Sequence, residues 1–250
     1  MLPDVVRNTG GELGRFLHAA LLDPADVKVP ATVGEVRRRR GVSGVTLAAG
    51  AATLGWSLSL APGDSTFYVA TALLAVVWVL GARLSGPVPI GRGRRRSGEG
   101  TSLGILQSVI VGGALLAIFL AGALVVSGIP LLRDPVQQLL DHARYGSLPL
   151  VALITVVNGV SEEYFFRGAL FQALPRRWQI GVGTALYAVV TAFSLVPLLV
   201  FAAVLLGVVV SLQRRATGGF LAPTVTHITW SLGMLLLLPY VLDLGTRLWG

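Results

Sequence analysis

From residue 180 to residue 213 the chain runs for 34 residues without a charged side chain. A run of that kind has no polar face to turn toward water, so it belongs in a bilayer. As one straight helix it would be ~51 Å long at ~1.5 Å per residue. A single crossing of a ~30 Å hydrocarbon layer needs far less. Pro197 stands near the middle of the run, where the missing backbone donor ends or kinks a helix. The run therefore reads as a hairpin with arms 180–196 and 198–213.

Five further apolar runs occupy 42–60, 65–82, 102–128, 148–174 and 219–240, and most reach the ~20 residues of a membrane crossing. Only 13% of the residues are charged, against about 25% in a soluble domain, which excludes a water-soluble enzyme. The expected fold is an all-α polytopic membrane protein of about seven transmembrane helices. The chain has no cysteine, so disulfides, thiolate metal sites and cysteine nucleophiles are excluded together.

The net charge of +8 is explained by where the arginines fall. Arg37, Arg38, Arg39 and Arg40 precede the first span, and Arg83, Arg92, Arg94, Arg95 and Arg96 lie between the second and third. Arg176 and Arg177 follow the fourth, and Arg214 and Arg215 follow the sixth. With a cytoplasmic N-terminus all of these fall on one side, as the positive-inside rule requires. The opposite loops mix Arg133, Arg144 and Arg247 with Asp64, Asp134, Asp141 and Asp243. No nucleic-acid partner is needed to account for the basic excess. Residues 1–41 lack the pattern of a cleavable signal peptide. Leu13, Phe16, Leu17, Ala20 and Leu21 share one helical face there, which suits either an interfacial helix or an ordinary polar lead-in. The loop 83–101 is basic, and its stretch 85–101, rich in Gly, Pro, Ser and Arg, is expected to be flexible.

Three ionisable residues interrupt the fourth span: Glu162, Glu163 and Arg167. Charges at such depth cost ~2.5–3.5 kcal/mol each on insertion scales and mark functional positions. Glu163 and Arg167 are four apart and can pair on one helical face. Glu162 points about 100° away, toward another helix or a wet cavity. One buried ionic knot could absorb all three. Two carboxylates for one guanidinium nevertheless leave an acid over, the group that general-base chemistry uses. His227 is the single histidine within an apolar run, and Ser231 follows it on the same face. Counted from the flanking charged and glycine-rich ends, Glu162, His227 and Pro197 lie at comparable depth and are expected to converge.

The segment Glu162-Glu163-Tyr164-Phe165-Phe166-Arg167-Gly168 resembles the EExxxR signature of the CPBP family, the CAAX prenyl protease and bacteriocin-processing membrane proteins, also called ABI. The stretch Gly218–His227 is similar to that family's third-motif helix, in which histidine is followed four residues later by asparagine. The resemblance covers about 147–240. It divides the chain into an N-terminal cytoplasmic or interfacial segment (1–41), three accessory spans (42–146), a CPBP-like core (147–240) and a tail (241–250). It implies that Glu162 activates water to attack a peptide carbonyl, with Glu163 and Arg167 holding the site. It also implies that His227 and Ser231 stabilise the oxyanion. Two departures stand out. The second motif, FxxxH, is best matched by Phe193-Ser194-Leu195-Val196-Pro197, with proline in the histidine position, and asparagine is replaced by Ser231. Tyr187, Thr191 and Ser194 are the polar residues near enough in sequence to substitute for that histidine.

Other protease chemistries fit less well. No HExxH zinc motif is present, and no metal or other cofactor is expected. Gly41-Val42-Ser43-Gly44 has the GxSG form of a membrane serine protease but sits beside the arginine run. Asp64 and Asp243 lie at the ends of spans, not within them. The expected protein is an intramembrane glutamate-dependent endopeptidase of the bacterial cytoplasmic membrane, acting on a membrane-associated or prenylated substrate. The alternative is a degenerate protein of the same fold that binds or stabilises a membrane partner.

Overall fold

The computed structural model describes residues 4–25, 32–94 and 101–249, and each apolar run within them is helical. Among the described residues there are nine helices. They are α1 (Asp4–Leu17, continued as a π turn through His18–Leu22), α2 (Val33–Ser59), α3 (Thr66–Ser85), α4 (Ile105–Val126), α5 (Pro130–Arg144), α6 (Leu148–Ala173), α7 (Gln179–Ala192), α8 (Pro197–Thr217) and α9 (Leu221–Trp249). A two-residue ladder, β1 (Gly93–Arg94) against β2 (Thr101–Ser102), lies between α3 and α4. Arg95 and Arg96 lie outside the described residues.

Five helices, α3, α4, α6, α8 and α9, are long and apolar enough to cross a bilayer. The protein is an integral, multi-pass membrane protein. Two of the seven expected spans fall short of that measure. The arginine run is the opening of α2 rather than a preceding loop. The 14 residues of α7 extend only ~21 Å. Pro197 does not break a helix. It is the first residue of α8, where its missing N–H is one of the unpaired donors in any case. The hairpin therefore turns at 193–196, before the proline, and Leu195 takes a left-handed φ of 58° there.

No apolar run marks residues 130–144, yet they form a helix. α5 is amphipathic: Val136, Leu140 and His142 are buried, while Arg133 pairs with Asp134 at 2.8 Å and Arg144 with Asp141 at 3.5 Å. His142 lies outside the spans, as expected, but it is buried, its ring tilted against that of Phe67 at 4.3 Å. His142 and His227 are thus the two buried histidines among the described residues. The expected flexibility of 85–101 also fails for its first part. Arg92 donates to the Thr217 carbonyl, and Phe220 and Leu221 donate to Pro89 and Ile90. Gly91 takes φ +88° against Gly219, an approach that leaves no room for a side chain on either residue.

The helices pack in pairs, α2 with α3, α4 with α9 and α7 with α8, and α6 lies between α3 and α9. The largest cluster joins Trp78 of α3 to Phe165, Phe166 and Leu170 of α6 and to Tyr187 of α7. A second one joins Leu115, Leu206, Val210 and Trp230. Lipid supplies no hydrophobic force between helices, so close backbone approach does much of the holding. Gly50 of α2 lies flat against the Trp78 ring, which a methyl group at that position would overlap.

The arginine-rich ends are capped by the arginines themselves. Arg38 donates to the carbonyl of Ser85, the last residue of α3, Arg39 to Pro87 just beyond it, and Arg40 to Ala173 at the end of α6. Cations there complement the negative pole of each helix. α2 opens with a capping box between Thr32 and Glu35, whose backbone and hydroxyl donors hold the Glu35 carboxyl below its usual range. Ala20 of the first helical segment is buried, and Ala25 donates to the Arg215 carbonyl at the end of α8. Leu13 and Leu17 stay exposed.

Gly50→Leu is expected to destabilise the fold by about 1–3 kcal/mol through overpacking against Trp78. Thermal unfolding of the purified protein in detergent measures this, with Gly113→Leu, at a position open on all sides, as the neutral comparison.

Candidate active site

The site is built where α6 changes its winding. Over Tyr164–Leu170 the helix becomes a π segment, a local insertion that often accompanies functional sites. Glu163 ends the α-helical part and Arg167 lies within the π part. Arg167 Nη1 donates to Glu163 Oε1 at 3.0 Å. Both side chains are buried, at 0% and 2% exposed. The expected ion pair is therefore present. Arg167 is held further by the Gly207 carbonyl at 3.4 Å and by the Tyr187 ring, 4.7 Å from its guanidinium carbon. Arg214 of α8 donates in turn to the Arg167 carbonyl at 2.6 Å.

The same Glu163 oxygen takes a second partner, His227 Nδ1 of α9, at 2.9 Å. A carboxylate accepts, so Nδ1 carries the proton and Nε2 is the nitrogen left for other work. Glu163 thus ties α6 to α9 and fixes the imidazole, a partner the sequence reading did not assign to it.

Glu162 turns the other way. Its Oε2 accepts from the Tyr187 hydroxyl of α7 at 2.9 Å. Glu162, His227, Tyr187, Thr191 and Ser231 line one cavity of about 200 Å³. The two acids are therefore not locked together on the guanidinium, and the spare carboxylate and the imidazole face a common space. Ser231 borders it one turn beyond His227, with its hydroxyl toward the Ile228 carbonyl at 3.4 Å.

Pro197 does not join them. It is exposed and absent from the cavity wall, and Phe193 is exposed too. The residues of α7 that face Glu162 with an aromatic-then-four spacing are Tyr187 and Thr191. The place expected for proline is therefore held by a threonine, whose hydroxyl donates to the Tyr187 carbonyl at 2.9 Å. Ser194 is buried in the turn and accepts from Val196 N at 3.2 Å. Asn158 went unremarked in the sequence. It lines the cavity one turn before Glu162, donating to the carbonyls of Thr71 and Ile154. With Thr155 it forms a polar stripe at helical spacing, a signal that periodicity could have supplied. Among the described residues no three His, Cys, Asp or Glu side chains are grouped as metal ligands. Ser43 is buried within α2 and does not border the cavity.

A family model described as Type II CAAX prenyl endopeptidase Rce1-like matches residues 144–233. That stretch includes α6, α7, α8 and the part of α9 bearing His227 and Ser231. No curated protein and no solved structure matches the chain.

Glu163→Ala strips the buried guanidinium of its counter-ion and is expected to cost about 3–5 kcal/mol. Glu162→Gln keeps an acceptor for Tyr187 and is expected to stay within about 1 kcal/mol of the parent. Unfolding of both variants side by side in one detergent tests the division of labour between the adjacent acids.

Proposed function

We propose that the protein is an intramembrane endopeptidase in which Glu162 activates water to hydrolyse a peptide bond of a membrane-associated or prenylated substrate. The observation that carries this reading is that Glu162, freed from the ion pair by its neighbour Glu163, shares a cavity with His227. The family match over 144–233 supports the same class of chemistry.

In this reading a water between the carbonyl carbon and Glu162 gives its proton to the carboxylate as it attacks. Tyr187, donating to Oε2, orients that carboxylate. His227 is held by Glu163 at Nδ1 and faces the developing oxyanion, which it stabilises. Donors aimed at an oxyanion in a dry site are worth ~2.7–4 kcal/mol each. Ser231 offers a second hydroxyl on the same wall. The proton on Glu162 passes to the leaving amine as the bond breaks. The topology that suits this is seven crossings with the N-terminus in the cytoplasm of a bacterial cell, placing the arginine-rich ends on that side.

A second reading is favoured by one observation. The α7 residues that line the cavity with Glu162 are Tyr187, Val190 and Thr191, none of them an imidazole, and the Thr191 hydroxyl is committed to the Tyr187 carbonyl. A catalytically degenerate protein that binds or stabilises a membrane partner would tolerate this.

With lipidated and membrane-peptide substrates, Glu162→Gln is expected to lower kcat by about 10²–10⁴ while leaving the fold intact. Cleavage that persists in this variant rejects the assignment. Thr191→His is expected to raise the rate and Pro197→His to leave it unchanged, because only the first position borders the cavity. Hydrolysis seen only after Thr191→His would favour the degenerate reading.

A further inference from the structure

The inner faces of α2 and α3 meet layer by layer: Gly50 lies against Trp78, and Thr46 against Gly81. One turn nearer the arginine-rich end, the same two stripes carry Ser43 and Ser85. Beyond them Arg39 reaches the Pro87 carbonyl at 3.2 Å. Arg39 is 5% exposed, yet its Nη1 has no partner, and the buried hydroxyls of Ser43 and Ser85 have none either. Roughly nine buried polar groups in ten are paired, so three orphans at one corner call for a partner from outside the chain. Gly86, at φ +123°, brings a second cation to the same place. A methyl group there would stand 2.7 Å from Arg38 Nη2 and 3.2 Å from Arg39 Nη2. Among the described residues no carboxylate pairs with either arginine, and Glu35, the nearest acid along α2, is held by Thr32. Burial pulls the Arg39 guanidinium below its ordinary value, and Arg38 beside it acts the same way; an anion would relieve both. Each of the two spends one nitrogen on a backbone carbonyl, out of the five N–H donors a guanidinium carries. Helix capping therefore accounts for only part of what this corner offers.

We propose that Arg38 and Arg39, where α2 and α3 meet the end of α6, bind a phosphate group supplied by an anionic lipid headgroup. Guanidinium forks match phosphate oxygens in pairs. The corner opens to the surface, since Arg38, Arg40 and Pro87 are exposed. Gln172 completes it from α6. Its Nε2 donates to the same Pro87 carbonyl at 3.2 Å and to Gly168 at 3.0 Å, which leaves Oε1 an unpaired acceptor. Such an acceptor suits a headgroup that also bears hydroxyls. The depth fits a lipid. Just past α6, exposed Trp178 has Arg177 over its ring at 5.5 Å, and tryptophan collects in the interfacial layer where headgroups lie. Arg40 reaches the Ala173 carbonyl at the same end of α6. A phosphate in this corner joins the ends of three helices, so its binding stabilises the fold without touching Glu162 or His227. The site is independent of the hydrolytic reading.

The test is thermal unfolding of the full chain in dodecyl maltoside at fixed pH and ionic strength. Dioctanoyl phosphatidylglycerol, dioctanoyl phosphatidylcholine and inorganic phosphate are titrated in separately. Phosphatidylglycerol is expected to raise the midpoint by about 5–10 °C at ~100 times its dissociation constant. Phosphatidylcholine, whose ammonium meets two arginines, is expected to raise it far less. Arg39→Gln is expected to shift the phosphatidylglycerol titration to about tenfold higher concentration or more. Arg83→Gln removes a cation from the exposed side of the same end of α3 and is expected to leave the titration nearly in place. The contrast between lipids in the parent stands even if Arg39→Gln does not fold. Inorganic phosphate that matches phosphatidylglycerol supports the phosphate site and names its source as a soluble phosphate, whereas inactivity of inorganic phosphate names the lipid. Equal stabilisation by phosphatidylcholine and phosphatidylglycerol overturns the proposal, as does no stabilisation by phosphatidylglycerol and inorganic phosphate alike. Equal losses from Arg39→Gln and Arg83→Gln would reduce the effect to general surface charge and overturn it too.

Discussion

One oxygen, Oε1 of Glu163, accepts from both Arg167 and His227, and most of the central architecture depends on it. A fully buried carboxylate is tolerated only where charge and hydrogen bonds compensate it. Here the compensation comes from two directions, along α6 to Arg167 and across to α9. The arginine is fixed in turn by Gly207 of α8 and the ring of Tyr187 of α7. Four helices are thus indexed to one another around a single group. The neighbouring acid is left free by the same arrangement. Adjacent residues on a helix diverge by about 100°, so satisfying Glu163 toward α9 turns Glu162 toward α7 and the cavity.

Around that polar centre the packing is governed by lipid. Because apolar side chains gain nothing by leaving hydrocarbon for one another, close contact has to come from shape. Gly50 against Trp78 is one instance and Gly91 against Gly219 is another. The second pins the first part of the α3–α4 connection against the residues before α9, so a segment with the composition of a flexible loop is tied down by backbone hydrogen bonds. The cavity beside Glu162 is what remains where helices diverge, lined on one side by the polar stripe of α6.

Much of this was legible in the sequence, for physical reasons. A bilayer forces the chain into helices, so apolar runs located α3, α4, α6, α8 and α9 closely. The spacing of Glu163 and Arg167 announced their pair, and counting residues from the charged ends brought Glu162 and His227 to a common depth. The misreadings share a cause as well. Depth is a one-dimensional coordinate and does not say which way a side chain turns. Depth alone puts Pro197 beside Glu162, whereas proline's preference for a helix start leaves it exposed and Tyr187 and Thr191 lining the cavity. α5 was overlooked because it is short, amphipathic and interrupted by Pro135, and so lacks the uniform hydropathy that flags a crossing. The burial of His142 follows from that helix and was invisible without it. The second partner of Glu163 was likewise beyond reach, since it joins residues 64 apart in the chain.

The arginines that cap helix ends bear on the order in which the molecule can be assembled. Synthesis proceeds from the N-terminus, so Arg38, Arg39 and Arg40 are made long before the carbonyls they will satisfy. Ser85 and Pro87 arrive with the end of α3, and Ala173 only when α6 is complete. Until then these guanidiniums remain hydrated and hold the nascent chain at the water boundary. Each becomes a latch when its acceptor emerges: first α2 to α3, then α2 to α6. Arg214 closes the series by gripping Arg167 from the last but one helix. The basic run that opens α2 thus ties three helices together, and those ties can close only in the order in which their acceptors are made.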